Sequence, residues 1–372
     1  MAREMNLRPG ATLAQYGERA ILEDVVLPRF GIQSDDCATL APVPAGHDIV
    51  MTMDPCPTPV VCLLEQHLDG KPVDYWHYGR LTVLINVSDL AAMGARPAGL
   101  LVSTVMPADM PMTDYNRFLD GLEEAGEEWG CPVLGGNIKD GDVFTATGTA
   151  VGTVPRGTAL ARTGASTGDL VCVLGDMGLF WSAVLARLRD VRLDGLDPQH
   201  SRALDQALYR PSAKVEIGMA LAAEGLVTAC MDASDGVSGC LVELARRNGG
   251  SVHLDQALLT PSAPVAYVAE ALRVDPRSLM LAWGNWELVV TTPPGRLDAL
   301  MALAARHGTT CRQIGELRDP KDHLVLLDGE EVTDFSSERF TNRSYFTHGL
   351  NAYADWLLKQ TFTVPPAAEE GL

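Results

Sequence analysis

Aspartates recur in this chain inside segments that are otherwise apolar or built of small residues. They are Asp35 and Asp36 in Ser-Asp-Asp-Cys-Ala, Asp54 after an apolar stretch, Asp89 in Asn-Val-Ser-Asp-Leu-Ala-Ala-Met-Gly, and Asp232 and Asp235 in Met-Asp-Ala-Ser-Asp-Gly. A carboxylate in apolar surroundings is costly unless a cation neutralises it. Magnesium takes oxygen ligands, keeps several waters, and is satisfied by one or two carboxylates plus substrate phosphates. Aspartates from several separate segments can therefore hold such ions against a triphosphate. Each one alone is explained as a helix cap or turn residue, Asp235 and Asp35 above all. Asp89 is not, because it falls inside a segment that reads as a buried helix. The combination points to metal-assisted chemistry on a phosphate or carbonyl oxygen of a small molecule.

Other chemistries are set aside by what the sequence lacks. The one Gly-Lys pair, Gly70-Lys71, is followed by Pro72, so there is no P-loop, and no GxGxxG follows a strand. The formal charge is −19, from 29 basic against 48 acidic side chains. That balance builds no basic stripe for a nucleic-acid backbone, and an anionic substrate must be received by local cations. The eight cysteines form no CxxC pair, and several sit in apolar strings, which reads as buried thiols in a reducing compartment. Eight scattered histidines with no HxxxH pair argue against zinc. No apolar run reaches the ~18 residues of a membrane span. No signal-peptide core follows Arg3 and Arg8, so the expected location is cytoplasmic. Trp283 and Trp286 read as packing residues before stacking platforms, and Glu123, Glu124, Glu127 and Glu128 as a solvated helix face.

The elements that must position the aspartates follow from periodicity and punctuation. An amphipathic helix is expected over Leu13–Leu27, ending at Pro28. An apolar, β-branched stretch at 48–53 reads as a strand stopped by Pro55, Pro57 and Pro59. Residues 81–93 are apolar nearly all round, which marks a buried helix on which Asn86 and Asp89 share a face. A strand at 100–106, a helix at 113–129 capped by Thr113 or Asp114, and a strand at 143–154 complete the first half. A turn-rich segment, 155–169, separates it from a second half of strand 170–174, helices 177–189 and 211–224, strand 227–231 and helix 237–248. A hairpin is expected around Asp328-Gly329. Strands and helices mixed in this way predict an α/β (α+β) fold.

The motifs resemble a known family. Ser-Asp-Asp-Cys-Ala (34–38), Asn-Val-Ser-Asp-Leu-Ala-Ala-Met-Gly-Ala-Arg-Pro (86–97), Leu-Gly-Gly-Asn (134–137), the stretch from Val154 to Asp169, Arg-Pro-Ser (210–212) and Met-Asp-Ala-Ser-Asp-Gly (231–236) occur in the order found in thiamine-monophosphate kinases. Those enzymes belong to the aminoimidazole ribonucleotide synthetase superfamily. The resemblance implies a two-domain fold of mixed sheets with helices packed on them. Combined with the reading along the chain, the expected division is an arm (1–30), an ATP/metal-binding and dimerisation domain (31–155), a C-terminal domain (156–320), a terminal hairpin and helix (321–360) and a disordered tail (361–372). The resemblance implies ATP between the halves, Mg2+ on its phosphates, a small-molecule acceptor and a homodimer, with no nucleic-acid or membrane partner. By resemblance Asp35, Asp36, Asp54, Asp89 and Asp235 look like metal ligands and Arg162 like a phosphate contact; in the expected mechanism Lys139 joins Arg162 in neutralising transferring oxygens. Asn86, Ser88, Gly135, Gly136 and Asn137 fall on the nucleotide side.

Three departures stand out. A metal carboxylate of the family has become Asn137, and its arginine position holds Asp140 beside Lys139. Pro55-Cys-Pro-Thr-Pro59 replaces a Glu-Gly-x-His-Phe string. Gly-Gly-Glu-Asp-Tyr-Glu-Leu is reduced to Ala282-Trp-Gly-Asn-Trp-Glu-Leu288. The expectation is a kinase with an altered acceptor site, in a specialised biosynthetic role. Its rivals are ATP-dependent activation of an amide or carbonyl oxygen, as elsewhere in the superfamily, and a nucleotide-binding scaffold without catalysis. The superfamily's carbamoyl dehydratases want a C-terminal cysteine, whereas this chain ends Glu-Glu-Gly-Leu372.

Overall fold

Three prolines set the start of the first helix as well as the end of the first strand. β1 (His47–Pro55) stops at Pro55, and Pro59, in extended backbone, leads into α1 (Val60–Asp69). The computed structural model describes residues 10–17, 20–31, 42–321, 323–332 and 349–359. It divides into two units, Met1–Ala159 and Leu160–Leu372.

In the first unit, α2 (Tyr75–Ala92) begins earlier than the expected buried segment because Asp74 caps it, its Oδ1 accepting from the Trp76 N–H at 3.0 Å. β2 (Arg96–Met106), α3 (Met112–Glu128), β3 (Val133–Asp140) and β4 (Thr145–Pro155) follow. The four strands form one mixed sheet in the order β1-β4-β2-β3, with β2 and β3 parallel and the other pairs antiparallel. On β4, Ala146, Gly148, Ala150 and Gly152 are buried and alternate with more exposed threonines and Val151. That strip of small residues seats α2. Helices α2 and α3 meet through two glycines: a Cβ on Gly79 would lie 2.1 Å from the Phe118 carbonyl oxygen, and one on Gly121 2.1 Å from that of Trp76.

Several expectations are corrected here. The N-terminal helix is three short pieces, Leu13–Tyr16, the π-turn Ile21–Val26, and Leu27–Phe30. It runs past Pro28, which falls where the π-turn passes into the last piece. Pro111, not Thr113 or Asp114, precedes α3. The glutamates of α3 are not merely solvated. Arg80, nearly buried between the rings of Trp76 and Trp129, pairs with Glu128 at 2.7 Å and Glu124 at 3.4 Å, and Arg29 pairs with Glu123 at 2.7 Å. Strand β3 and helix α1 had no clear periodic signal.

The second unit contains β5 (Leu170–Leu174), α4 (Leu179–Leu188), α5 (Pro198–Tyr209), α6 (Val215–Glu224), β6 (Ala229–Asp232), α7 (Val237–Asn248) and β7 (Ser251–Leu254). Then come α8 (Ala263–Leu272), α9 (Pro276–Met280), β8 (Leu288–Thr292), α10 (Leu297–Arg306), β9 (Cys311–Arg318), β10 (Val325–Leu327), β11 (Glu330–Glu331) and α11 (Leu350–Leu357). Its sheet has seven strands in the order β11-β10-β7-β9-β5-β8-β6, antiparallel except where β10 joins β7. The hairpin at Asp328-Gly329 forms with both residues at positive φ. Helix α5 was not foreseen, and α6 starts at Val215 and not at Pro211. The expected tail, 361–372, lies outside the described residues.

Because backbone atoms oppose it at Gly79, a methyl group there cannot be absorbed by a rotamer change. Gly79→Ala is expected to cost about 1–3 kcal/mol, a fall in melting temperature of roughly 3–10 °C. An unchanged melting curve would mean that α2 and α3 are not locked together.

Candidate active site

The sequence-predicted residues of the first unit separate into two groups. On one side of the sheet, Thr52 Oγ1 donates to Asp89 Oδ2 at 2.5 Å, which ties β1 to α2. Asp54 lies two residues further along β1 and so faces the same way. Its strand partner is Gly148, where a Cβ would come within 2.4 Å of Asn86 Nδ2. Asn86 is fully buried and donates to the Thr82 carbonyl at 2.9 Å, while among the described residues its Oδ1 has no partner. Asp54, Asn86 and Asp89 therefore share the helix-covered face, with Ser88 buried beside them on α2. Asp35 and Asp36 lie outside the described residues.

Asn137 and Lys139 do not join this group. They pair with Ser103 and Val105 on β2, in the rows that turn away from the helices, whereas their neighbour Ile138 is buried. β1 and β3 are opposite edges of the sheet, about 14 Å apart at ~4.8 Å per strand. Gly135 and Gly136 follow a register shift between β2 and β3. Lys139 and Asp140 also line a cavity of about 230 Å³ with Leu13, Ile21 and Met106.

In the second unit, β6 ends at the buried Asp232, and Asp235 is exposed in the turn before α7. The Cys240 thiol donates to the Asp232 carbonyl at 3.1 Å. Its pKa is raised well above the ordinary range, first by burial and then by Asp232 and Asp235, with Arg162 opposing them. Those influences place Arg162, Asp232 and Asp235 in one neighbourhood. The Arg162 backbone is held there by Asn248 Nδ2, which donates to its carbonyl at 3.0 Å. Among the described residues no three His, Cys, Asp or Glu side chains cluster as a metal cage. A magnesium ion that leans on phosphate oxygens needs fewer protein ligands than that.

The altered string 282–288 has structural work to do. Asn285 Oδ1 accepts from the Phe180 N–H at 2.7 Å, in the first turn of α4. Trp283 Nε1 donates to the Tyr353 hydroxyl at 2.6 Å within a cluster that includes Phe180 and Trp181. Sequence reasoning missed Glu287. It is 1 % exposed, and among the described residues neither carboxyl oxygen finds a partner in another residue. Burial pushes its pKa up to about 8, its own backbone N–H and the Lys214 ammonium pull it down, and Asp176 raises it. A charged residue directly ahead of the apolar run Leu288–Thr292 was the available signal.

Two units, each a mixed sheet layered with helices, define the class of protein. The family of AIR synthase related proteins matches over both, its N-terminal domain at residues 34–154 and its C-terminal domain at 166–327. Thiamine-monophosphate kinase of Escherichia coli is 31% identical over 80% of this chain and 88% of its own. Carbamoyl dehydratase HypE of Cupriavidus necator is 28% identical over 82% of this chain and 84% of its own. The crystal structure of thiamine-monophosphate kinase from Stenotrophomonas maltophilia superposes with a TM-score of 0.67 at 29% identity, covering 80% of this chain and 90% of that one. The chain belongs to the AIR synthase related family as a thiamine-monophosphate kinase-like member, an ATP-dependent kinase by class. Among the described residues no helix is long and apolar enough to cross a membrane.

Because the folded-state pKa of Glu287 lies above its ordinary 4.5, folding takes up a proton and stability falls as pH rises from about 4.5 to about 8. Glu287→Gln should remove that loss. Its melting temperature should match the wild type near pH 4.5 and exceed it at pH 8.5. A difference that is the same at both pH values would contradict the protonated assignment.

Proposed function

We propose that the protein transfers the γ-phosphoryl group of Mg-ATP to a small-molecule acceptor, with an acceptor site changed from that of thiamine-monophosphate kinases. The observation that carries this reading is the shared face of Asp54, Asn86 and Asp89, an all-oxygen donor set of two half-buried carboxylates and one orphaned amide oxygen. Hard oxygen donors of this kind suit magnesium. Asp54 and Asp89 would hold it, and the resemblance assigns Asp35, Asp36 and Asp235 to metal as well. The ion, when bound, supplies charge neutralisation for phosphoryl oxygens. Thr52 holds the Asp89 carboxylate in place, and Gly148 leaves room for Asn86. Arg162 is assigned to phosphate oxygens, whereas Lys139, on the other face of its sheet from Asp54 and Asp89, is given no part in the transfer.

Thiamine monophosphate is the acceptor named by the relatives. The changes at Asn137, Pro55–Pro59 and Ala282–Leu288 favour a different one, in a biosynthetic role in the cytoplasm. Similarity to a carbamoyl dehydratase supports a second reading, in which ATP activates a carbonyl oxygen and phosphate is then expelled. Product analysis separates the two: a stable phosphorylated acceptor, or free phosphate with a dehydrated or aminated product. Asp89→Asn and Asp235→Asn are each expected to lower metal-dependent ATP turnover at least tenfold with the melting temperature kept. Unchanged turnover in both would remove these residues from the reaction.

A homodimer is part of the same proposal. Ile49, Met51, Met53 and Leu101 are 53%, 64%, 66% and 39% exposed on the helix-free face of the first unit's sheet. An apolar face of this kind marks an interaction surface. Sedimentation should show a dimer for the wild type and a monomer for Met51→Asp combined with Met53→Asp; a wild-type monomer refutes this part.

A further inference from the structure

Helix α5 divides its residues between two environments. Leu204 and Leu208 are buried, whereas Gln199, Arg202, Ala203, Gln206, Ala207 and Arg210 recur at helical spacing and line a cavity of about 460 Å³. The two alanines leave the space, and the four long polar side chains rim it. The facing wall is supplied by Asp176, Ser212, Lys214 and Asn285. Three cations and one carboxylate therefore line a concavity in a chain whose formal charge is −19. The Asp176 carboxylate accepts from Thr310 Oγ1 at 3.0 Å. Among the described residues Arg202 has no ion pair, and Lys214 Nζ donates to the Ser212 carbonyl at 3.5 Å. Below the wall, Lys214 approaches the buried Glu287, both lying within 3.2 Å of where a Cβ on Gly175 would stand.

A positive concavity on an acidic protein focuses potential on one class of ligand. Guanidinium groups match phosphoryl oxygens in pairs, amide side chains add neutral donors, and the volume suits a small metabolite. We propose that this cavity, within the second unit, binds the phosphoryl group of a small ligand, with Arg202, Arg210 and Lys214 as its cations. It uses none of the aspartates assigned to metal, and it stands whether or not the phosphotransfer reading holds. The phosphoryl group belongs either to a phosphorylated metabolite or to free phosphate.

The test is calorimetric titration of the full chain with inorganic phosphate and, separately, with ribose 5-phosphate. Chelator removes divalent metal, and chloride keeps the ionic strength constant. One saturable site is expected for at least one of the two probes. Arg202→Ala should weaken it at least tenfold, Arg202→Lys should weaken it less, and Gln206→Glu, which adds a carboxylate to the rim, should abolish it, all with wild-type melting curves. Binding of the ester as well as the free ion identifies a metabolite as the occupant, and binding of phosphate alone identifies the free ion. Absence of a saturable site, or equal affinity in wild type, Arg202→Ala and Gln206→Glu, overturns the proposal.

Discussion

The first unit depends on how closely α2 approaches β4. Ala146, Gly148, Ala150 and Gly152 give the sheet a floor with almost no side chains, and an eighteen-residue helix buried over most of its length lies on it. That proximity lets Asn86 occupy the space above Gly148 and brings Asp89 within hydrogen-bond reach of Thr52. The other side of α2 is held as tightly, by glycine contacts to α3 and by Arg80 between two indole rings. A helix clamped on both sides can carry a half-buried carboxylate in a defined position. Pre-organisation of this kind is what electrostatic catalysis requires.

Charge is distributed unevenly for a reason. The excess acid is large, yet much of it is matched locally: Glu124 and Glu128 by Arg80, Asp74 by Arg117, Glu243 by Arg246 and Arg247. The pairs that involve exposed groups add little stability. Their effect is on location, because arginines spent on carboxylates are removed from the surface. Arg202 and Lys214, which line the cavity beside α5, stand out against that background, and so does Glu287, which relieves its burial by holding a proton over most of the neutral range.

Motif departures acquire meaning once their neighbours are known. Asn285 stands in the altered acidic string, and its amide oxygen satisfies an N–H in the first turn of α4, work that any short side chain with an acceptor could do. Pro55 ends one strand and Pro59 leads into one helix. Trp283 is drawn into packing with Tyr353. Each of these residues is held by the architecture around it.

Periodicity and motif order were enough to reveal the mixed α/β class, the buried helix bearing Asn86 and Asp89, helix α7 to its ends, and the hairpin at Asp328-Gly329. These are local matters: a 3.6-residue period, a cap, and a turn residue tolerant of positive φ leave their mark within a few positions. Strand pairing leaves no such mark. Only the order β1-β4-β2-β3 put Asp54 and Lys139 on opposite edges and faces of one sheet, although the mechanism expected from the resemblance placed them in a single group. Helix α5 passed unread because its alanines and glutamines line a cavity and bury no apolar stripe there. Glu287 passed unread because the state of a carboxyl group is set by what surrounds it in space, and its surroundings come from β5's turn and from Lys214, more than 70 residues away in the chain.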